Sequence, residues 1–305
     1  MNSASSHGKV TVVIPTKNRK DSLRRTLRSV YSQSIDCEVI CFDDGSSDGT
    51  AEMVTWEFPL VTLIRHDTSR GPAACRNEGA QLATSEFLLT LDDDCVLAVN
   101  DSIAIAVNCF NSPDIGAVTL PFIDMPRADG PNTAAPDSNG VFVTSNYNAG
   151  MVMFRRSVFL SVEGYRATYF MHHEEADLAA RLMNQGWLVR SGSEILIHHH
   201  ESPIRDRRRL WLLGARNSIL YAFYNVPGPI LSFHLLATII NTATYAGKSG
   251  GLWFVIKGFE EAVPLCWRHW KDRRPISWRA YRAIRSLRRR GPQPISQVKA
   301  MLAHA

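Results

Sequence analysis

The stretch FLLTLDDDCVL, residues 87–97, runs apolar, stacks three carboxylates side by side, and turns apolar again. Its first half reads as a buried strand that ends where the charge begins. Adjacent carboxylates repel and raise one another's pKa unless a cation neutralises them, and a divalent metal is the usual cation. In an extended segment neighbouring side chains alternate, so Asp92 and Asp94 are expected to face one ligand and Asp93 to face away. The unit is then Asp-x-Asp, a hard oxygen site suited to Mg²⁺ or Mn²⁺ that also holds substrate phosphates. A solvated acidic turn fits the same letters, so the reading depends on what surrounds them.

Upstream, short β-rich runs alternate with amphipathic helical stretches. VTVVIP (10–15) reads as a buried strand. In DSLRRTLRSVYSQ (21–33), Leu23, Leu27, Val30 and Tyr31 recur at helical spacing and leave the arginines facing outward. CEVICFDDGSSDGT (37–50) gives a strand over 38–42 that ends on Asp43-Asp44 and a Gly/Ser turn. LVTLIRH (60–66) is a third strand, and GPAACRNEGAQLA (71–83) a helix with Pro72 in its first turn. The apolar run before the three aspartates is thus the fourth strand. This alternation predicts an α/β domain on parallel strands. Ligands collect at the carboxyl ends of such strands, where Asp43-Asp44 and Asp92-Asp93-Asp94 both lie.

Beyond residue 110 the pattern loosens into a strand followed by a mobile Pro/Gly/Asn/Asp-rich loop (112–140). GVFVTSNYNAGMVMFRR (140–156) looks like a hairpin turning at 146–150. EEADLAARLMNQG (174–186) is a helix with Leu178, Leu182 and Met183 on one side and Gly186 as its stop. WLVRSGSEILIHHHESP (187–203) gives two short strands, the second ending on His198-His199-His200.

Charge divides the 305-residue chain. Residues 1–200 hold 16 Lys and Arg against 24 Asp and Glu, net −8, and residues 201–305 hold 18 against 5, net +13. An acidic body with a basic end suggests contact with an anionic membrane or nucleic acid. No nucleic-acid reading motif accompanies the charge, so nucleic acid is not expected. The six cysteines lack CxxC spacing and suggest neither a zinc ribbon nor a disulfide framework. The polar start MNSASSHGKV lacks the apolar core of a signal peptide, and a cytoplasmic location is expected.

Five segments in order, VTVVIPTKNR, VICFDDGSSDGT, GPAACRNEGA, FLLTLDDDC and HHEEADLAARLMNQGW, closely resemble the inverting family 2 glycosyltransferases of the GT-A fold. The resemblance covers residues 8–205 and implies a Rossmann-like, mostly parallel central sheet. It implies that Pro15, Thr16, Asn18 and Arg19 line the nucleotide pocket, that Asp44 meets the base of a UDP- or dTDP-sugar, and that Arg76 lies near uracil or diphosphate. A carboxylate can accept from a pyrimidine N–H, and an Arg fork suits phosphate oxygens. Asp92 and Asp93 fall with the nucleotide-sugar, and Asp94 with Asp92 on the metal. His198 and His200, expected to share a face, are candidates to complete the Mn²⁺ or Mg²⁺ site. The family's base is usually the first Asp of Glu-Asp-x-Asp-Leu, and Glu175 stands at that position here. Glu174 and Asp177 are the alternatives, Asp177 more as a positioning residue. An acceptor hydroxyl, on a glycan or a lipid-linked chain, is the implied partner.

Two other readings fit parts of the chain. A haloacid-dehalogenase-type phosphatase would use Asp92 as nucleophile, although its motif normally opens the fold. A non-catalytic sugar-nucleotide or membrane-binding scaffold would not need EEADL. Organisation is expected as a flexible start (1–8), a catalytic domain (9–205) and a basic, aromatic-rich helical region (206–305). Residues 217–247 carry no Asp, Glu, Lys or Arg, but Pro227-Gly228-Pro229 and several polar residues argue against a clean membrane span. Helices lying in the interface fit better, with Trp211, Tyr221, Phe223, Tyr224 and Trp253 as anchors and Arg-rich segments toward headgroups. Packing on the body or a dimer interface is the plainer alternative.

Overall fold

Residues 10–125, 127, 130–200 and 206–303 are described by the computed structural model; the expected flexible start at 1–8 and the domain boundary at 205 lie outside them. The chain opens with β1 (Val10–Thr16), α1 (Lys20–Tyr31), β2 (Cys37–Asp43), α2 (Thr50–Glu57), β3 (Thr62–Arg65), α3 (Pro72–Leu82) and β4 (Phe87–Leu91). These four strands pair in parallel in the order β4-β1-β2-β3. Val10, Val12 and Ile14 of β1 turn toward Leu23, Leu27 and Val30 of α1, whereas Val13 turns toward Ala73 and Ala80 of α3. Both faces of the sheet are therefore covered, as continuous apolar strands require. Each fully buried Leu or Val contributes about 1.5–3 kcal/mol, so the continuous apolar run of β1 is what fixes its place inside the sheet, between β4 and β2. The pairing Thr16↔Asp43 aligns the strand ends, and the acidic turns after β2 and β4 meet on one edge.

The second half inserts β5 (Cys95–Leu97), α4 (Ser102–Asn108), β6 (Ile115–Thr119), β7 (Phe122–Asp124), β8 (Phe142–Thr144), β9 (Met151–Arg155), α5 (Arg156–Ser161), α6 (Glu174–Asn184), β10 (Leu188–Ser191) and β11 (Ile197–His199). Among the described residues the main sheet has nine strands, order β12-β8-β10-β6-β9-β4-β1-β2-β3, where β12 is Gln293–Pro294. Among these only β9 and β8 run against the others: β9 is antiparallel to β4 and β6, and β8 to β10 and β12. A separate sheet, β5-β11-β7, stands over the same edge.

The hairpin expected over 140–156 does not form, because β10 and β6 lie between β8 and β9. Residues 146–150 instead cross the end of β4, where Thr90 Oγ1 donates to the Ala149 carbonyl (2.6 Å) and Asp92 N–H to the Gly150 carbonyl (3.0 Å). The segment expected as one mobile loop contains β7, and Asn132 and Ala135 tie it to Phe122 and Gly192 through backbone hydrogen bonds.

The C-terminal helices are α7 (Arg207–Asn225), α8 (Gly228–Lys248), α9 (Leu252–Arg268), α10 (Trp278–Arg290) and α11 (Ile295–Ala303). Ala180 and Met183 of α6 share a core with Tyr221 and Ala222 of α7, Ala283, Ile284 and Leu287 of α10, and Val298 of α11. Two expectations need correction here: Tyr221, Phe223 and Tyr224, expected as interface anchors, are buried in the helical core, and the 227–229 run does not interrupt α8. Pro227 and Pro229 stand at the start of α8, where proline is tolerated, rather than in its middle. Residues 228–248 are one uninterrupted helix, long and apolar enough to cross a membrane by length and composition.

Candidate active site

The three aspartates do not lie in extended strand. They make the tight turn between β4 and β5, closed by Cys95 N–H donating to the Asp92 carbonyl at 3.2 Å. Alternation therefore fails, and Asp92 and Asp94 do not share a face as expected. Asp92 turns to Arg76, with Nη2 2.5 Å from Oδ1. Asp93 accepts from Thr16 Oγ1 at 2.7 Å and from Arg19 Nη1 at 2.9 Å. Asp94 receives the same Arg19 nitrogen at 2.7 Å and has His199 Nε2 at 3.5 Å. The like charges coexist because Arg19, Arg76 and His199 arrive from three different elements to offset them. Burial still pushes the Asp93 carboxyl up to about 7, with Arg19 opposing and Asp94 reinforcing. For Asp94, burial is outweighed by His199 and Arg19, and its pKa falls.

Asp92 can turn this way only because residue 150 is glycine. A Cβ there would stand 1.9 Å from the Asp92 carboxylate carbon. The Arg76 guanidinium is almost fully buried and joins two acidic groups: Asp92 on one nitrogen and Glu174 Oε1, at 3.6 Å, on another. In this structure Arg76, expected beside the base or diphosphate, makes this internal bridge. Glu174 is buried, with Oε2 unpartnered, and its neighbour Glu175 is half-buried. Burial first, and the Glu174 carboxylate second, push the Glu175 carboxyl up to about 8. Glu175 is thus the more accessible of the pair and has the pKa of a group that takes a proton near neutrality.

Asp177 is sealed. It has no exposed side-chain surface, and Arg181 Nε (2.8 Å), Asn225 Nδ2 (2.8 Å), Arg166 Nε (3.2 Å) and Tyr169 OH (3.3 Å) engage its oxygens. These bonds commit its oxygens and anchor it between α6, α7 and the 166–169 segment, as suits a positioning residue. The loop leading into α6 is strained: Phe170, His172 and His173 all adopt positive φ, at 62°, 68° and 67°. Asn217 of α7 holds it, donating through Nδ2 to the carbonyls of Tyr169 (3.0 Å), Met171 (2.7 Å) and His172 (2.7 Å).

At the nucleotide end, Pro15 and Thr16 close β1 in buried positions. Asn18 links two loops, accepting from Ser47 N–H and donating its own N–H to Ser46 Oγ. Asp44 is buried with both oxygens filled, by His66 Nδ1 and Arg70 N–H on Oδ1 and by Ser69 Oγ and Gly71 N–H on Oδ2. Burial would raise its pKa, but these hydrogen bonds outweigh it and hold it at about 2. A base contact at Asp44 requires one of those donors to be released.

The histidine run resolves differently from the expectation. His199, not His198 or His200, directs its imidazole at Asp94, and with Cys95 these form a cluster of ligand-type atoms within 4.8 Å of one another. His200 reaches Asp94 by its backbone, N–H to carbonyl at 2.8 Å. On a strand only alternate residues share a face, and pairing of His199 with Cys95 across β5 decides which one turns inward. The carboxylate and imidazole are donors that suit Mn²⁺ or Mg²⁺ beside a diphosphate. Sequence reasoning missed Asn217 and Asp124, each an isolated polar residue without motif context.

A family model described as Glycosyl transferase family 2 matches residues 11–160. The chain is 28% identical over 224 residues to the Pre-mycofactocin glycosyltransferase of Mycobacterium tuberculosis, covering 67% of this chain and 45% of that protein. It therefore spans less than half the length of that relative. Over 91 residues it is 33% identical to the GalNAc(5)-diNAcBac-PP-undecaprenol beta-1,3-glucosyltransferase of Campylobacter jejuni, which is 28% of this chain and 29% of that one. Mannosyltransferase PcManGT from Pyrobaculum calidifontis, solved with GDP-Man and Mn²⁺, superposes with TM-score 0.60 at 19% identity over 85% of this chain and 76% of that one. S. aureus TarS 1-349 in complex with UDP gives 0.59 at 15% identity over 79% and 74%. At these identities the likeness to solved structures is one of fold.

Proposed function

Because this chain belongs to glycosyltransferase family 2 and has the GT-A fold, we propose that it transfers a sugar, with inversion, from a UDP- or dTDP-sugar to a hydroxyl of a glycan or lipid-linked acceptor. The phosphatase reading falls with the family assignment: β4 is the fourth strand of a doubly wound sheet, and Asp92 is tied to Arg76. The scaffold reading falls with it.

One observation carries the proposal. Arg76 links Asp92, in the turn that carries the metal-type ligands, to Glu174, beside the candidate base Glu175. Donor-binding and proton-accepting groups thus meet at one strand-end edge. Asp94 and His199 would hold the metal, with Asp92 beside it, and a bound Mn²⁺ or Mg²⁺ supplies positive charge to the diphosphate. Thr16 and Arg19 fix the Asp93 and Asp94 carboxylates. Pro15, Asn18 and Asp44 border the nucleotide, with Asp44 taking the base once the 66–71 loop yields a donor. Glu175 accepts the proton of the acceptor hydroxyl as its oxygen attacks the anomeric carbon, and the nucleoside diphosphate leaves on the opposite side.

The acceptor is proposed to reach the site from the cytoplasmic membrane surface. Phe233 and Tyr245 of α8 and Trp253 and Trp267 of α9 are 76%, 72%, 63% and 83% exposed, an apolar surface that water alone does not favour. The basic C-terminal third would draw this surface to anionic lipid. The Campylobacter relative, whose acceptor by name is undecaprenol-linked, supports this choice.

A panel of nucleotide-sugars tested for Mn²⁺-dependent binding and slow hydrolysis checks the donor class. One uridine or thymidine diphosphate sugar is expected to bind with metal. Binding of none, or equal binding of all without metal, contradicts the proposal.

A further inference from the structure

We propose that Asp124, the last residue of β7, is a positioning residue that orients His199 for the metal; this rests on the metal-dependent reading given above. His199 is 7% exposed, and its Nδ1 lies 2.6 Å from Asp124 Oδ1 while Nε2 lies 3.5 Å from Asp94 Oδ1. The small sheet builds this alignment by register. His199 of β11 pairs with Asp124 across the parallel β7 and with Cys95, next to Asp94, across the antiparallel β5. A one-residue slip would turn the imidazole to the other face.

Phe122, Asp124 and Asp94 hold the ring. Phe122 meets it edge-on, with centroids 5.7 Å apart, and its own carbonyl accepts from Met125 N–H at 2.8 Å. Asp124 is itself fixed, since Asn132 Nδ2 donates to Oδ2 at 3.3 Å. A metal-binding imidazole has one nitrogen to coordinate and one to donate. A carboxylate on the donating nitrogen fixes the tautomer and the ring plane, and raises the basicity of the other. Asp124 performs this for His199: its Oδ1 accepts the hydrogen bond from Nδ1–H and leaves Nε2 directed at Asp94. A surface ion pair would do none of this, and a ring so nearly buried is not a surface group.

The test measures free Mn²⁺ by electron paramagnetic resonance while the full chain is titrated in the presence of UDP. Asp124→Ala is expected to weaken Mn²⁺ binding about 10- to 100-fold, the usual cost of removing such an outer partner. Asp124→Asn, which keeps an acceptor but loses the charge, is expected to fall between it and the natural protein. Circular dichroism and UDP binding without metal are expected to stay unchanged in both. Nitrogen-15 shifts of His199 with diamagnetic Mg²⁺ and UDP should report the Nδ1–H tautomer in the natural protein and a mixture in Asp124→Ala. If Asp94→Ala and His199→Ala abolish Mn²⁺ binding while Asp124→Ala binds as tightly as the natural protein, the positioning role is overturned and the metal site stands. If the natural protein binds no Mn²⁺ with UDP, the metal reading and this inference both fall.

Discussion

Glu175 is the proposed base, and the proposed transfer depends on it most directly. With its carboxyl raised to about 8, chiefly by burial and then by Glu174, only the ionised fraction accepts a proton. Transfer is expected to rise with pH and level off above about 8, as read from kcat/KM profiles. The stability contribution runs the other way. A carboxyl raised above its unfolded value is favourably protonated in the folded chain at low pH, and that advantage is lost as pH rises from the unfolded pKa through about 8. Glu175→Gln should cut kcat by about 10²–10⁴-fold and leave donor affinity intact. Unchanged turnover would move the base to Glu174. Asp177 is a different kind of acid: Arg166 and Arg181 hold it ionised and enclosed. The residue types and their order were legible in EEADL, but their division of labour was not. Which acid opens to the site depends on Arg76, Arg166 and Asn225, which arrive from distant positions.

At the scale of elements, the parallel half of the sheet was legible because each strand and the helix after it declare themselves locally. The continuous apolar run of VTVVIP and the Leu23/Leu27/Val30 spacing needed no distant partner. The turn after β4 was not legible, since the alternation rule assumes extended backbone and three charged residues instead fold over Gly150. The face of β11 was equally hidden. Its three histidines are indistinguishable until β5 and β7 set the register. The strained loop before α6 depends on an element still further along the chain, since Asn217 of α7 satisfies three of its carbonyls. Asn217→Ala removes a donor shared by these carbonyls, of which that of Tyr169 keeps Arg216 Nη2 at 2.9 Å, at a cost of about 1–3 kcal/mol. The expected outcome is a lower melting temperature and a kcat reduced about tenfold with donor affinity retained. A kcat equal to that of the natural protein would mean the loop holds its shape without α7.

At the scale of the molecule, an acidic body of 200 residues is joined to a basic end of 105. The acidic body carries the site. The basic helices pack on α6, add β12 to the sheet edge, and turn α8 and α9 outward. The asymmetry was legible from charge alone, but the unbroken length of α8 was not, because prolines that end one helix also start the next. Trp253→Ser with Trp267→Ser in the full chain should reduce co-sedimentation with anionic vesicles severalfold and leave hydrolysis of soluble donor unchanged. Equal sedimentation would assign this surface to another partner. The central claim is that the turn at Asp92–Asp94 grips a metal-bound nucleoside diphosphate. Calorimetric titration of UDP into the natural chain and into Asp94→Ala, each with and without Mn²⁺, tests it most directly. The account predicts that Mn²⁺ tightens UDP binding to the natural chain at least tenfold (about 1.4 kcal/mol) and leaves Asp94→Ala unaffected. The same metal enhancement in both proteins would contradict it.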